Sequence, residues 1–478
     1  MSETAPEPVS KAKVIVASVS AAVGAFLFGF DSSVINGAVD AIASGFQLSA
    51  FLKGFAVAIA LLGCAVGAWY AGQLSDRLGR KKVMLIGAVL FFASSIGSAF
   101  CGSVWDLMVW RVVGGFGIGV ASVMTPSYIS EIAPAKMRGS LTSVNQLAIT
   151  IGIFAALLSD ELLQNSAGGA AKAAFFGMSA WRWMFLVGVV PSVVYAVVSF
   201  LLPESPRYLV RAGKNDQARD ILHNMGEPDP EKKVKDIKDS IQEEDRTSFA
   251  DIKGPRLGLR PLVWVGIILA ALQQLVGINA IFYYSSTLWK SVGFSTADAF
   301  KTSVITSVIN VVMTFVAILF VDKFGRRLLL LIGSCGMFLG LGMAALAFFN
   351  STKVNGEITL PGSWGIVALI GANLFVIFFA ATWGPIVWVL LAEMFPNRQR
   401  SYALAIGTVS NWLANFVVTV LFPYLSNRIG LGYLYGIFAA FAVISFWFVL
   451  SMIPETTGQE LEDMSGGTKR ENTASAAS

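Results

Sequence analysis

The stretch SDRLGRK occupies residues 75–81, and VDKFGRR at residues 321–327 repeats its order of acidic residue, glycine and basic residues. Asp76 and Asp322, the matching acidic residues, are separated by 246 positions. Two further pairs of segments recur in the same order at similar offsets. They are EIAPAKMR (131–138) with EMFPNRQR (393–400), and PESPR (203–207) with PETTG (454–458). Three ordered pairs indicate that the chain consists of two related halves.

The composition of the chain is that of a membrane protein. Of 478 residues, 55% are hydrophobic and only 14% are charged, whereas soluble proteins carry about 25% charged residues. A membrane-spanning helix needs roughly 20 mostly apolar residues. Twelve such spans are predicted at 13–36, 51–74, 82–101, 106–129, 141–160, 182–202, 261–288, 300–322, 327–350, 364–395, 401–424 and 431–452. The sequence therefore predicts an all-α polytopic membrane protein whose two halves are pseudo-symmetric six-helix bundles, an architecture found in transporters that bind substrate between the halves.

The loops predict how the chain is oriented. Basic residues are concentrated at 77–82, 136–138, 323–327 and 398–400, which all lie on one side of the predicted spans. The positive-inside rule places that side, and both termini, in the cytoplasm. The predicted parts are an N-terminal tail (1–12), a first bundle (13–203), a cytoplasmic insert (204–260), a second bundle (261–455) and a C-terminal tail (456–478). Within the insert, the mixed charges of EKKVKDIKDSIQEEDR (231–246) predict short helices.

Several classes of protein do not fit this sequence. The start of the chain is polar and lacks a secretory n-region, so the first apolar segment is predicted to be a retained helix. Cys64, Cys101 and Cys335 are scattered and predict no disulfide framework. With His223 as the single histidine, the chain offers no catalytic or metal-binding constellation, which argues against a membrane enzyme. The net charge of +5 follows from the basic loops and predicts no nucleic-acid partner.

The predicted seventh span contains the polar run QQLVGIN at residues 273–279. Each unpaired carboxamide in hydrocarbon would cost several kcal/mol, in order of magnitude. Gln273, Gln274 and Asn279 must therefore face protein, water or a polar solute. They do not share one face of an ideal helix, but Gly277 would permit a break that re-aims them, as in the interrupted helices of transporters. The alternative is that these side chains only form hydrogen bonds between helices.

Seven segments spread along the chain share one likeness. They are GQLSDRLGRKK (72–82), RVVGGFGIGVASVMTPSYISEIAP (111–134), PESPRYL (203–209), QQLVGINAIFYYSS (273–286), VDKFGRR (321–327), GPIVWVLLAEMFP (384–396) and PETTG (454–458). With these segments the chain resembles the sugar porter family of the major facilitator superfamily, and within it the bacterial glucose–proton symporters. The resemblance extends over nearly the whole chain and implies the major facilitator fold of twelve transmembrane helices.

The resemblance implies a sugar site between the halves. A hexose is uncharged, offers hydroxyls that donate and accept, and has an apolar face on which an aromatic ring can stack. The residues that match the family's sugar contacts are Gln146, Gln273, Gln274, Asn279, Asn310 and Trp388. Tyr283, Phe28, Asn411 and Trp412 are expected to line the same cavity. For a single tryptophan the alternative role is anchoring at the membrane interface.

Asp31 lies inside the first predicted span, in the run GAFLFGFDSSVING, where an ionisable residue is costly and usually functional. By resemblance, Arg111 is its partner. We expect Asp31 to bind the transported proton while Arg111 tunes that binding, because a nearby cation favours the ionised carboxylate and desolvation favours the protonated one. The alternative is a static ion pair. No cofactor is expected besides the proton as coupling ion.

The charged residues of the predicted cytoplasmic face are expected to act as gates. By resemblance, they form salt bridges between helices of the two halves that hold the outward-open state. The alternative is that they serve only to orient insertion. The set comprises Asp76, Arg77, Arg80, Glu131, Arg138, Glu204, Asp322, Arg326, Arg327, Glu393, Arg400 and Glu455.

The expected function is import of a hexose, with D-glucose preferred, by proton-coupled symport and alternating access. The alternatives are passive facilitation, symport of xylose, galactose or myo-inositol, and a membrane sugar sensor. A drug–proton antiporter would not need the runs at 273–279 and 384–388. The expected partners are a small sugar, the proton and the lipid bilayer of the cell membrane, with the chain functional as a monomer.

Overall fold

The computed structural model describes residues 11–132, 138–244, 249–254, 258–354, 357–395 and 397–453. In this part of the chain, twelve helical spans are long and apolar enough to cross a membrane, as the sequence predicts. The helices are α1 (Lys11–Ala21), α2 (Val23–Gly45), α3 (Ala50–Leu78), α4 (Arg80–Phe100), α5 (Val104–Ile132), α6 (Arg138–Ala167), α7 (Ala180–Val187), α8 (Val189–Leu201), α9 (Pro206–Arg211), α10 (Asn215–Met225), α11 (Pro230–Glu244), α12 (Pro261–Leu275), α13 (Ile278–Ser291), α14 (Thr296–Phe324), α15 (Arg326–Phe349), α16 (Trp364–Phe378), α17 (Gly384–Glu393), α18 (Asn397–Ile429) and α19 (Leu431–Met452).

Four of the spans consist of two helices each. The first span comprises α1 and α2, the sixth α7 and α8, the seventh α12 and α13, and the tenth α16 and α17, which a π-helical turn (Phe379–Trp383) connects. A 3-10 turn (Phe249–Ile252) and two antiparallel hairpins complete the described structure. The hairpins are β1 (Lys253–Gly254) with β2 (Gly258–Leu259), and β3 (Thr352–Val354) with β4 (Glu357–Thr359).

Several helices extend beyond the predicted spans. The first span continues to Gly45 rather than ending at residue 36, and α6 continues to Ala167 rather than ending at residue 160. Hydropathy falls where polar residues such as Asp40 and Gln164 enter the helix, although the backbone stays helical. A hydropathy window therefore finds the apolar centre of a span and misses its polar ends.

The duplication of the halves is visible in the backbone. Gly79 connects α3 to α4, and Gly325 connects α14 to α15, each as a single-residue link. Their φ angles are +91° and +81°, in the region that favours glycine. The two glycines are separated by the same 246 residues as Asp76 and Asp322. The two halves therefore turn in the same way at the same point of their repeat.

Close helix packing in the first half depends on small residues. A Cβ atom added to Gly115 of α5 would lie 2.0 Å from the carbonyl oxygen of Ala60 of α3, and one added to Gly119 would lie 2.1 Å from that of Cys64. Lipid tails are as apolar as the side chains, so helices in a membrane associate through close backbone contact. These glycines bring α5 against α3 and fix the position of Arg111 on α5.

The insert folds as short helices, as its mixed charges predict. Residues 231–244 of that run belong to α11, and α9, α10 and α11 pack around a small apolar cluster. Its buried members are Leu209, Val210, Ala218 and Ile241. We call the end of the bundle that carries this insert the insert end. Since each span crosses the bundle, the connections α2–α3 and α13–α14 lie at the opposite end.

Candidate functional site

The seventh span is broken within the polar run, at the glycine that the sequence indicated would permit a break. Helix α12 ends at Leu275 and α13 begins at Ile278. Gly277 between them has a φ of +87°, a left-handed conformation that costs a residue with a Cβ about 1–2 kcal/mol. A second irregular residue, Tyr284, has a φ of −122° within α13. The break gives the carboxamides on its two sides different directions from those of a continuous helix.

The carboxamides form one continuous chain of hydrogen bonds between α12, α13 and α18. Asn411 Nδ2 donates to Gln273 Oε1 at 2.7 Å, and Gln274 Nε2 donates to Asn411 Oδ1 at 3.2 Å. Asn279 Nδ2 donates to Gln274 Oε1 at 2.6 Å across the break. These groups both donate and accept, so a sugar hydroxyl can replace any of these bonds with one of its own.

The tenth span supplies backbone acceptors to the same chain. Gln273 Nε2 donates to the carbonyl oxygens of Trp383 and Gly384 at 2.9 and 3.1 Å. Both carbonyls lie where the π turn passes into α17, just before Pro385, which has no N–H group. Irregular turns of this kind often occur at functional sites. Gln273 thereby joins the seventh, tenth and eleventh spans.

An aromatic pair closes one side of the site between the two halves. The rings of Phe28 on α2 and Trp412 on α18 meet edge to face with centroids 5.3 Å apart. Trp412 is 3% exposed, and its Nε1 has no hydrogen-bond partner in the described part of the chain. Tyr283 is also buried, and its hydroxyl accepts a long hydrogen bond of 3.4 Å from Asn415. The unpartnered indole N–H is available to a hydroxyl oxygen.

Three of the predicted sugar contacts are not joined to this chain. Gln146 is half-buried on α6, Asn310 is buried on α14, and Trp388 is half-buried on α17. Helices α6 and α14 pack against each other across the two halves. The structure thus connects Gln273, Gln274, Asn279 and Asn411 directly and leaves these three as separate positions on neighbouring helices, where their predicted contact with sugar stays a prediction.

Asp31 and Arg111 form a buried ion pair within the first half. Arg111 Nη1 lies 2.8 Å from Asp31 Oδ1, and the side chains are 2% and 7% exposed. The second oxygen, Asp31 Oδ2, and Arg111 Nε have no hydrogen-bond partners among the described residues. The guanidinium also lies over the ring of Phe185, 5.8 Å from its centroid. The pair is incompletely satisfied, so a proton or water can still be accommodated there.

A small cavity connects the ion pair to the aromatic side of the site. Phe28, Asp31, Arg111 and Tyr283 line it, together with side chains of α3 and α5. It therefore borders both the predicted proton site and two residues predicted to line the sugar cavity. A change of charge at Asp31 would therefore act directly on the ring of Phe28 and the hydroxyl of Tyr283.

At the insert end of the first half, Arg80 is the centre of an ion-pair cluster. Arg80 Nη2 lies 2.9 Å from Glu131 Oε1, and Arg80 Nη1 lies 3.1 Å from Asp76 Oδ1. Glu204 Oε1 accepts from the backbone N–H of Arg80 at 2.9 Å. Asp76 also pairs with Arg211 of α9, at 2.7 Å, which ties the insert to the bundle. Arg77 is exposed.

The second half contains an ion pair that corresponds to Arg80–Glu131 of the first half. Arg326 Nη2 lies 3.2 Å from Glu393 Oε1, and Arg327 Nη2 donates to the carbonyl oxygen of Leu450 at 2.6 Å. Arg80–Glu131 and Arg326–Glu393 each join two helices of one half, whereas the sequence predicts bridges between the halves. That inter-half gating role stays a prediction. Glu455, and the side chains of Arg138, Asp322 and Arg400, lie outside the described residues.

At the opposite end, the two halves are joined by contacts that the sequence did not indicate. Ser286 of α13 donates its N–H to Asn36 Oδ1 at 3.0 Å and its hydroxyl to the Asn36 carbonyl oxygen at 2.9 Å. Asp40 of α2 forms an ion pair with Lys290 and accepts from Thr287 at 2.8 Å, both on α13. A carboxylate and a lysine near span ends are common at a membrane surface, so nothing in the sequence pairs them.

Close backbone contact between α3 and α18 also joins the two halves at this end. A Cβ atom added to Gly54 of α3 would lie 2.3 Å from the carbonyl oxygen of Val420 of α18. The rings of Phe55 and Phe416, on the same two helices, are 6.1 Å apart between centroids. The described structure is therefore closed between the halves at the end opposite to the insert.

Comparisons with known proteins agree with this architecture. The family described as "Sugar (and other) transporter" matches residues 17–466. A glucose transport protein of Synechocystis is 49% identical over 452 residues, which cover 94% of this chain and 97% of the relative. The D-xylose-proton symporter of Escherichia coli is 36% identical over 480 residues, covering 93% of each. A solved structure of the E. coli xylose transporter in a partially occluded inward open conformation has a TM-score of 0.81 at 33% identity, and the match covers 94% of this chain and all of that one (100%).

Proposed function

The chain belongs to the family of sugar and related transporters, and from this membership we propose that it is a proton-coupled symporter that imports a hexose by alternating access. The family is one of membrane transporters rather than enzymes. The chain is accordingly a multi-pass membrane protein of the major facilitator fold. Passive facilitation is the competing mechanism within the same family.

D-glucose is the hexose that we propose as substrate. The Synechocystis glucose transport protein, at 49% identity, supports this choice, as does a glucose transporter of Staphylococcus epidermidis that is 34% identical over 455 residues. The proposed ligands are the Gln273–Asn411–Gln274–Asn279 chain and the free Nε1 of Trp412. Gln146, Asn310 and Trp388 are proposed as contacts from the facing helices, with Phe28 and Tyr283 as apolar walls.

The observation that carries proton coupling is the cavity shared by Asp31, Arg111, Phe28 and Tyr283. We propose that Asp31 takes up the transported proton and thereby loosens its pair with Arg111. Since the same cavity borders Phe28 and Tyr283, protonation and sugar occupancy act on the same packing between the halves. The proton is the coupling ion, and no other cofactor is proposed.

The proposed location is the cell membrane, with the insert end and both termini in the cytoplasm. The basic clusters around Arg80 and Arg326 support this orientation under the positive-inside rule. The described state, closed at the opposite end, is then closed toward the outside. We further propose that the insert-end charges act as gates during the cycle and that the chain works as a monomer in the lipid bilayer.

The test uses purified protein in liposomes with an inward proton gradient. We expect labelled glucose to accumulate above its external concentration, and unlabelled glucose to compete better than xylose, galactose or myo-inositol. Asp31→Asn should abolish accumulation and retain exchange of glucose, while Asp236→Asn, at an exposed carboxylate of α11, should behave as wild type. Mere equilibration of glucose by the wild type would show a passive facilitator.

A further inference from the structure

A second carboxylate lies buried within the membrane part of the first half, away from the Asp31–Arg111 pair. Asp160 of α6 is 0% exposed. Its Oδ2 accepts the backbone N–H of Gly37 of α2 at 3.1 Å, and its Oδ1 has no partner among the described residues. A Cβ atom at Gly37 would lie 2.6 Å from the Asp160 carboxyl group. The carboxyl group is thus enclosed against the backbone of α2.

Charged side chains on the helices around α6 do not neutralise Asp160. Asp31 is paired with Arg111, and Asp40 is paired with Lys53 and Lys290. Arg182 of α7 donates to backbone carbonyls at 2.6 and 3.1 Å. On the helices packed against α6, Lys13, Asp106, Asp298 and Lys301 are exposed, Glu131 pairs with Arg80 at the insert end, and Glu161 next to Asp160 is half-buried. No described lysine or arginine forms an ion pair with Asp160.

An ionised carboxylate in such a place is costly. Removing a charge from water into a protein interior is strongly unfavourable unless a partner compensates. One neutral N–H group is a weak compensation. A protonated carboxyl group avoids this cost, but its O–H group then needs an acceptor.

Gln164 supplies an acceptor on the same helix face. It lies four residues after Asp160, a spacing at which side chains on a helix are neighbours. Gln164 is 5% exposed, and its Oε1 has no partner in the described part of the chain. One proton on Asp160 would therefore satisfy two buried oxygen atoms that otherwise have no donor.

The position of Asp160 links this proton to closure of the opposite end. Gly37 donates its N–H to Asp160, and the residue just before it, Asn36, binds Ser286 of the second half. Opening of that end would separate Asn36 from Ser286 and admit water to the region around Gly37. Hydration of Asp160 then favours its ionised form.

We propose that Asp160 is a second proton-binding site, which must be protonated for the halves to close at the end opposite to the insert. This inference rests on the proposed alternating access and orientation, but not on symport. The proton comes from water on the outer side when that end is open. It stays enclosed while that end is closed and returns to the same side on reopening. Asp160 therefore makes closure sensitive to external pH without adding to the protons transported per sugar.

Two measurements test this proposal. The first uses nitroxide labels on cysteines introduced at Phe51 and Ile429, exposed residues of α3 and α18 at the opposite end, in a Cys335→Ser background. Distances between the labels report the closed fraction as a function of pH in lipid nanodiscs. We expect the closed fraction of the wild type to fall as pH rises. In Asp160→Asn, which mimics the protonated group, it should stay high and lose most of that pH dependence, whereas Asp31→Asn should retain it.

A second variant, which keeps the carboxylate of Asp160, tests the proposal even if Asp160→Asn does not fold. Gln164→Leu removes the proposed acceptor, so the midpoint of closure should move to lower pH by up to about one unit, the equivalent of one hydrogen bond. The second measurement is infrared difference spectroscopy between protein at low pH, where the halves are closed, and protein at high pH, where they are open. The carbonyl band of a protonated carboxylic acid that persists in Asp31→Asn should disappear in Asp160→Asn.

The proposal is overturned if Asp160→Asn closes with the pH dependence of the wild type, or if its infrared spectrum keeps that band. It is equally overturned if the variant transports fewer protons per glucose, because Asp160 would then be a transport site. The results on closure and on the infrared band do not depend on symport. Glucose-driven proton entry in the wild type reports on the proposed function separately.

Discussion

At the scale of single residues, the carboxamides show why polar side chains persist in an apolar span. Gln273 reaches two backbone carbonyls of the tenth span and the amide of Asn411 in the eleventh, so it links three spans, its own included. The protein's own groups satisfy the hydrogen-bonding capacity of Gln273 in this structure. A bound hydroxyl then exchanges one bond for another at little cost of desolvation.

Gln273→Ala should weaken glucose binding while the protein remains folded. The loss of one or two hydrogen bonds corresponds to about 1–3 kcal/mol, roughly a 5- to 150-fold weaker affinity. Isothermal titration with glucose in detergent measures this effect, and thermal unfolding checks the fold. The control is Gln217→Ala, at an exposed glutamine of α10, which should leave affinity unchanged. An unchanged affinity in Gln273→Ala would assign that residue to helix packing alone.

The residues of the site were predictable from the sequence to different degrees. A carboxamide or carboxylate within an apolar run carries a cost that demands a partner, so Gln273 and Asp31 could be singled out. The partners themselves depend on packing: Asn411 lies 138 residues from Gln273 along the chain. Asp160 could not be singled out in this way, because the predicted fifth span ends at that residue and a carboxylate at the end of a span needs no buried partner.

At the scale of elements, the break in the seventh span determines the directions of the carboxamide side chains in the site. Gly277 holds a left-handed conformation with φ of +87°, and a Cβ atom there would lie 2.6 Å from the ring of Phe438. This break was predictable because glycine next to polar residues is typical of interrupted transporter helices. The π turn before Gly384 was not, since its formation depends on contacts with α14 and α15.

Gly277→Ala should destabilise the protein and reduce sugar affinity together. The left-handed backbone costs alanine about 1–2 kcal/mol, and the contact with Phe438 adds to that. Thermal unfolding in detergent and glucose titration measure the two effects. Gly436→Ala is the matched control, because that helical glycine of α19 has no atom within 4 Å of an added Cβ. Equal unfolding temperatures for the two variants would contradict a strained break at Gly277.

At the scale of the whole molecule, twelve spans and two related halves followed from hydropathy and repetition. How the halves meet did not, because contacts between them change during alternating access and leave no periodic pattern. Asp40 shows this: it contacts Lys53 within its own half and Lys290 in the other half. One carboxylate thus contributes to a fixed contact and to a contact that must break when the end opposite to the insert opens.

Lys290→Met should therefore favour opening at that end, whereas Lys53→Met should not. The side chains of Asp40 and Lys290 are 32% and 26% exposed, so their pair is worth up to about 1 kcal/mol, roughly a fivefold change in the ratio of open to closed molecules. Distances between nitroxide labels at positions 51 and 429 measure that ratio. An equal shift in both variants would mean that the pair with Lys290 does not hold the halves together.

Proton coupling through Asp31 is the central claim, and glucose-driven proton entry tests it most directly. Purified protein is placed in liposomes that contain a pH-sensitive dye, without any imposed gradient, and glucose is added outside. The wild type should acidify the interior, and Asp31→Asn should not, although it still exchanges labelled glucose. Entry of glucose into wild-type liposomes without acidification would contradict proton symport.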